Sequence, residues 1–367
     1  MAEKAIRLGG ESTADAIVSA VDAMYTEHTF AEKDFALKHN EDEISVDTNF
    51  AAQNFWKEAL IRFFNKKSAV LGLVLIVIIV LLAVLGPGMN SYTYSGQDLS
   101  QKNFAPRVPG IEQFGILDGS EKMSTTTATK VTNPYQEKDK LDVYYWFGSD
   151  LYGRDIWTRT WEGARVSLII AVAAAIIDMV IGMSYGLISG YFGGRVDMVM
   201  QRFLEVANGI PRLVIVTLLL LVLQPGMVTI IFALMLTEWV GMSRIARAEM
   251  LKLKDQEFVL ASRTLGAGSF FIIFKEVLPN IIGPIITQVM FSIPTAIFTE
   301  AFLSFVGLGI PVPQCSLGSL ISELYNSFTT HPYQIIPPIV VMSLLMLSFN
   351  LVADGLREAL DPKMKSM

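Results

Sequence analysis

Five polar residues stand inside or at the ends of long apolar runs: Asp178, Glu238, Glu300, Asn350 and Asp354. An ionisable group in a bilayer is costly unless it faces protein or water, so each is a candidate for lining a path or pairing with a neighbouring helix. The chemistry open to them is hydrogen bonding and ion pairing. The three histidines, His28, His39 and His331, are scattered, and the one cysteine, Cys315, completes no ligand set of metal spacing. No nucleophile with a His and an acid partner can be assembled. No G-x-x-x-x-G-K-S/T stretch is present to cradle a nucleotide phosphate. Transport explains these residues better than catalysis does.

A second polar feature is continuous. Phe258 to Asn280 reads FVLASRTLGAGSFFIIFKEVLPN, polar enough to leave the bilayer and patterned as two short helices. Val259, Leu260, Ala261 and Leu265 recur at helical spacing, and Gly266-Ala267-Gly268 supplies a hinge. A second helical run, Phe270, Phe271, Ile273, Phe274 and Val277, stops at Leu278-Pro279. The pattern predicts a helix-turn-helix between two membrane spans.

The elements that must position these residues follow from composition and hydropathy. The chain of 367 residues is 52% hydrophobic and 17% charged, too apolar for an ordinary soluble protein. The predicted fold is an all-α polytopic membrane protein with six transmembrane helices. The net charge of −6 and the lack of a basic, aromatic-interleaved patch argue against nucleic acid as a partner. Ala69–Gly86 is an unbroken apolar run long enough for a hydrocarbon core of about 30 Å. The next spans are Val166–Ile188, rich in small residues, and Arg195 to Leu223, bent by Pro211 and carrying Glu205 and Arg212. Met227–Met242, Ile281–Phe305 (interrupted by Pro284 and Pro294) and Ile335–Val352 complete the set.

The chain divides into a tail over 1–67, a first span over 68–88, an insertion over 89–157, a five-span core over 158–355 containing the polar loop 250–280, and a short tail over 356–367. The N-terminus has no apolar core of signal-peptide type. In the tail, Ala14–Met24 and Phe50–Phe64 are helical in pattern, and the second, mixing aromatic and cationic residues, suits a helix at the membrane surface. The insertion is turn-rich, and its middle reads as a solvated linker. Its end, Phe147–Leu168, has glycine turns with aromatic and arginine anchors that belong at a membrane interface. Arg244, Arg247, Lys252, Lys254, Arg263 and Lys275 crowd the polar loop, whereas no Lys or Arg occurs between Lys275 and Arg357. The positive-inside rule then makes the loop and both termini cytoplasmic and the insertion external.

With these elements in place, the loop resembles the "EAA" cytoplasmic loop of ABC importer permeases. Ala261, Gly266, Leu278 and Pro279 match that motif, while Leu260 stands where it has Glu and Ser262 where it has the second Ala. GSDLYGRDIWTRTWEGARVSL (148–168), SGYFGGRVD (189–197), EAFLSFVGLGIPVP (300–313) and NLVADGLREALDPK (350–363) extend the likeness. Together they resemble the C-type inner-membrane permease of the dipeptide and oligopeptide (peptide/nickel) family, over residues 60–88 and 146–365.

The resemblance implies a type I ABC importer permease fold in a bacterial cytoplasmic membrane. It implies a homologous second permease, two cytoplasmic ATPases that use ATP and Mg, and an extracellular or periplasmic receptor that delivers peptide, with no cofactor on this chain. Ala261, Ser262, Leu265 and Gly266 would face an ATPase groove, with Leu278 and Pro279 closing the loop and Glu257 or Glu249 compensating for the missing motif acid. Glu300, Asn350 and Asp354 fall in family motifs. They, with Glu238 and Asp178, would line the pore or meet the second permease, and Ser304, Phe305 and Gly307-Leu308-Gly309 would turn at the external mouth. Nickel or another small solute is the alternative within the family. A secondary transporter or channel is the alternative outside it.

Overall fold

The computed structural model describes residues 55–125 and 128–360. The expected helix at Ala14–Met24 and the basic residues Lys363 and Lys365 lie outside the described residues. Helix α1 (Phe55–Asn65) leads into α2 (Lys67–Leu85). α1 is amphipathic as expected: Ala59 and Phe63 are buried, while Trp56, Leu60, Ile61 and Phe64 are exposed. α2 is apolar all round with Ala69, Gly72, Ile79 and Ala83 turned inward, the composition of a helix that meets protein on one side and lipid on the others.

The insertion after α2 differs from the linker expected for it. Within the lobe it forms, strands β1 (Glu121–Thr125) and β2 (Ala128–Thr132) make an antiparallel hairpin. Phe104, Tyr135 and Tyr145 form a buried aromatic cluster. Tyr135 donates its hydroxyl to the Ala105 carbonyl at 2.8 Å. Burial of three aromatic rings offsets the ordering entropy that a turn-rich polar sequence was expected not to meet. The edge-to-face ring contacts join residues some thirty to forty positions apart, which local composition does not reveal.

Span helix α3 (Ile156–Phe192) follows, then α4 (Gly194–Gly209) and α5 (Arg212–Val222), α6 (Met227–Leu253), α7 (Glu257–Thr264), α8 (Ser269–Leu308), α9 (Leu317–Tyr325) and α10 (Pro332–Leu360). Among the described residues, α2 with the turn that ends it, α3, α6, α8 and α10 are long and apolar enough to cross a membrane, and α4 with α5, bent by 78°, makes a sixth if taken as one broken span. The break falls where expected: Pro211 lacks an amide, and Ile210 before it is extended, with φ −83° and ψ 123°.

Several helices run past the bounds expected for them: α3 begins at Ile156 and ends at Phe192, and α8 runs from Ser269 to Leu308. α6 continues beyond Met242 to Leu253 because its polar-looking end still buries Ala246 and Met250. Opposite lie Gly182, Gly186 and Gly190, one per turn of α3; a Cβ on Gly186 would stand 2.2 Å from the Ser243 carbonyl oxygen, and one on Gly190 2.9 Å from Met250. Small residues at that spacing let the two backbones touch. α10 extends past Val352 to Leu360, because Val352 and Ala359 pack with Phe63 of α1 and Ala69 of α2.

Candidate functional site

Three polar regions stand out, and they differ in how completely the chain satisfies them. On the side of the lobe, Asp150, Arg154, Arg159 and Glu323 form a closed ring of charges. Arg154 Nε and Arg159 Nη1 donate to Asp150 Oδ2 at 2.7 and 2.9 Å. Arg159 Nη2 donates to Glu323 Oε2 at 2.7 Å, and Arg154 also pairs with Glu323. Both arginines are buried, so they are structural partners within the chain and not the interfacial anchors expected from the sequence. Two positive and two negative groups cancel, which is the condition for keeping them out of water. Burial pushes the Glu323 carboxyl up, but the adjacent Arg159 and Arg154 outweigh it and hold it below the usual range. Glu323 carried no sequence signal, being more than 160 residues from its partners.

The same end carries Glu300, fully buried. Its Oε1 accepts from the hydroxyls of Ser316 at 2.5 Å and Ser304 at 2.7 Å, and its Oε2 from Ser167 at 3.3 Å. Ser167 in turn accepts the Leu317 amide at 3.1 Å. Glu300 therefore ties α8 to α3 and to the start of α9, where Ser316 also caps the helix. Beyond it, Gly307 takes φ +88° near the end of α8, while Ser304 and Phe305, expected in the turn, belong to the helix.

Deeper in the spans, Asp178 and Glu238 are brought within electrostatic reach of each other. Asp178 is buried and accepts from Ser292 of α8 through one oxygen, while its Oδ1 has no partner among the described residues. Glu238 pairs with Arg212 at 2.7 Å, and Arg212 also donates to Thr299 at 3.0 Å. Arg212 is the first residue after the break in the bent span, so this cluster joins α3, α5, α6 and α8. Asn350 and Asp354 are not part of it. Asn350 is half-buried on α10, and Asp354 is exposed, its carbonyl accepting from Lys66 at 3.5 Å.

At the far end of α6 and α8 lies the stretch Phe258–Asn280. α7 is eight residues long and buries only Val259, which enters a cluster with Met250, Ile272, Ile273 and Val277. Its end is a Schellman stop: Gly266 has φ +85°, its amide donates to the Arg263 carbonyl at 3.1 Å, and the Ala267 amide donates to the Ser262 carbonyl at 3.0 Å. The three residues 266–268 are thus a fixed helix terminus and not a loose hinge. The second expected helix does not stop at Leu278-Pro279 either. α8 passes through it by widening to a π-turn over Ile272–Val277, and Pro279, which has no amide to donate, sits in the first turn after that widening.

Phe258, Leu260, Ala261, Leu265 and Phe270 are all exposed, Leu265 at 88%. Ser262 and Leu278 are half-buried, and Gly266 and Pro279 are exposed. Leu260 points its apolar side chain to the surface where the motif has an acid. Glu249 does not compensate for it, being paired with Lys252 at 2.6 Å. Val259 and a cation–π contact between Arg263 and Tyr191, 5.5 Å from guanidinium to ring centre, hold the loop instead. Tyr191 belongs to the SGYFGGRVD stretch. There Asp197 receives Arg247 through two bonds of 2.6 Å and Ser189 at 2.5 Å, fixing the corner between α3 and α4 beneath the loop.

The sequence is similar to known membrane transport proteins. Residues 182–366 match the binding-protein-dependent transport system inner membrane component, and residues 54–106 match the N-terminal TM domain of oligopeptide transport permease C. The chain is 41% identical over 312 residues to the oligopeptide transport system permease protein OppC of Bacillus subtilis, covering 85% of this chain and 91% of that protein. It is 42% identical over 322 residues to the dipeptide transport system permease protein DppC of Lactococcus lactis, covering 85% and 92%. Among solved structures, an inward-facing MetNI methionine ABC transporter aligns at 16% identity over 54% of this chain and 94% of that one, with a TM-score of 0.46. The chain belongs to the family of binding-protein-dependent transport system inner membrane components.

Proposed function

We propose that this chain is one half of the membrane pore of an ATP-driven importer of oligopeptides or dipeptides, with α7 as the element through which separate ATPase subunits drive it. The observation that carries the reading is identity of about two in five residues, across nearly the whole chain, to permeases named for peptide transport. A homologous second permease, two ATPases and a solute receptor complete the assembly, and the termini and α7 lie in the cytoplasm by the distribution of Lys and Arg. ATP and Mg belong to the partners, since this chain has no phosphate-binding loop.

The geometry supports α7 as a coupling element in two ways. It offers an apolar, partnerless surface at Leu260, Ala261 and Leu265, the kind of short helix that seats in a groove. It is also joined to two spans by stiff connections: the Val259 plug, the Gly266 stop and the continuous α8. A push on α7 would therefore move α6 and α8, and with them the Arg212–Glu238 pair and Ser292 beneath Asp178.

The test is peptide uptake by the reconstituted assembly with the ATPase P-loop lysine substituted. Loss of uptake is expected, and unimpaired uptake would remove the ATP-driven reading. Within this chain, Gly266→Pro forces φ to about −65° where +85° is required. Loss of ATPase association, with normal membrane insertion, is the expected outcome. Normal ATP-dependent uptake by that variant would refute the role of α7.

A further inference from the structure

The lobe between α2 and α3 carries an apolar loop outside the polar sites described above. Residues 109–116 leave and rejoin the lobe through a closed neck: Arg107 and Asp118 form an antiparallel bridge. The Val108 amide donates to the Leu117 carbonyl, and the Gly119 amide to that of Pro106, each at 3.1 Å. Arg107 neutralises the loop's one carboxylate, Glu112, at 2.5 Å. What remains outward is Ile111, Phe114, Ile116 and Leu117, all exposed, Phe114 at 80%. Four large apolar side chains within seven residues, held out on a pinned loop, mark a contact surface.

A second observation says what covers them. Behind the loop lies a cavity of about 370 Å³ whose lining includes Val108, Leu117, Trp146, Trp157, Ile336 and Pro337. Leu117 reaches it from a left-handed backbone, φ +53°, a conformation a branched apolar residue rarely adopts without constraint. The opposite wall is the first part of α10, where Ile336, Ile339 and Val340 are exposed on a helix long and apolar enough to span. Trp157 donates its indole N–H to the Gly86 carbonyl at 2.9 Å, just past the end of α2. Indoles at span ends sit at the headgroup level. The loop therefore lies at the depth where the spans meet lipid, a position a water-soluble partner reaches only through the headgroups.

We propose that the loop 109–117 inserts into the membrane leaflet on the lobe's side and that the cavity behind it holds one phospholipid acyl chain. The lobe is then fastened at two points, by the charge ring to α3 and α9 and by the loop to lipid. This requires only that α10 spans the membrane, and it stands whether the solute is a peptide or not.

The test uses the full chain in vesicles of phosphatidylcholine and phosphatidylglycerol. Cys315 is the only cysteine and is buried, so Phe114→Cys supplies the accessible thiol for an environment-sensitive fluorophore. Quenching by lipid brominated on the acyl chain should exceed quenching by aqueous iodide severalfold at that position. The order should reverse at Glu137→Cys, an exposed lobe residue outside the loop. Iodide quenching equal at the two positions would overturn insertion. So would a label shielded only when the purified solute receptor is added, which would make the loop a protein contact. For the cavity, Val108→Trp should fill the space and abolish the lipid retained by the wild type in native mass spectrometry from detergent. Equal retention by the two proteins would overturn the acyl-chain assignment.

Discussion

The two ends of the helical core are built on opposite principles. At the end facing the lobe, Asp150, Arg154, Arg159 and Glu323 pair with one another, with Arg159 Nε left without a partner among the described residues, and Glu300 is enclosed by three serines. At the other end, α7 holds on by Val259 and the cation–π contact of Arg263, and turns Leu260, Ala261 and Leu265 outward, exposed among the described residues. A buried charge network has to be paired within the chain, because each orphaned group adds its desolvation cost. The exposed apolar helix is, on the proposed reading, the part that a second protein covers. The contrast separates a part held together by pairs within the chain from a part that leaves its apolar face exposed.

The contrast breaks most sharply at Arg159. Arg159→Met leaves two carboxylates sharing one arginine in a buried site, and a loss of about 3–5 kcal/mol is expected, read from thermal unfolding in detergent. Adding Glu323→Gln to that variant should cost much less than it does alone, since the charge it removes is no longer fully paired. Glu300→Ala comes next, at about 1–3 kcal/mol, because three hydroxyls lose their acceptor.

The charge ring also fixes a dependence on pH. The Glu323 carboxyl, held below its ordinary value of 4.5 in the folded chain, binds fewer protons there than when unfolded. Its stabilisation is complete above that ordinary value and is lost as pH falls through the depressed folded value. Arg159→Met should flatten this acid limb of the stability curve, and an unchanged limb would show that other carboxylates set it. The smallest effect on stability belongs to α7: Leu265→Asp should change it by less than about 0.5 kcal/mol. Co-purification of the ATPases should nevertheless fall sharply, and a variant equally bound would move the docking surface elsewhere.

The π-turns show how far local sequence carried. Leu278-Pro279 reads as a helix end because proline cannot continue an α-helical ladder, yet α8 absorbs it by widening to π-type hydrogen bonds over Ile272–Val277 before the proline arrives. Gly266 reads as a hinge because glycine is permissive, yet two amide bonds make it a fixed terminus. In each case the residue type was informative and the neighbouring backbone decided its effect. Leu260 illustrates the reverse: its mismatch to the motif is plain in the sequence, but only the burial of Val259 and the seat offered by Tyr191 explain how the loop holds without an acid.

Hydropathy over runs of about twenty residues located the spans, Pro211 located the break, and the spacing of motifs located the family. These are properties of the chain read within a window, and the physics behind them, hydrogen-bonded helices in a solvent without hydrogen bonds, is local. Tertiary structure alone decided that Glu323 closes a ring with Arg154 and Arg159, that Glu300 is caged by serines from two other elements, and that the insertion folds around Phe104, Tyr135 and Tyr145. Those outcomes join residues from sixteen to more than a hundred and sixty positions apart. Their energies come from pairing and burial, which exist only once the helices have packed.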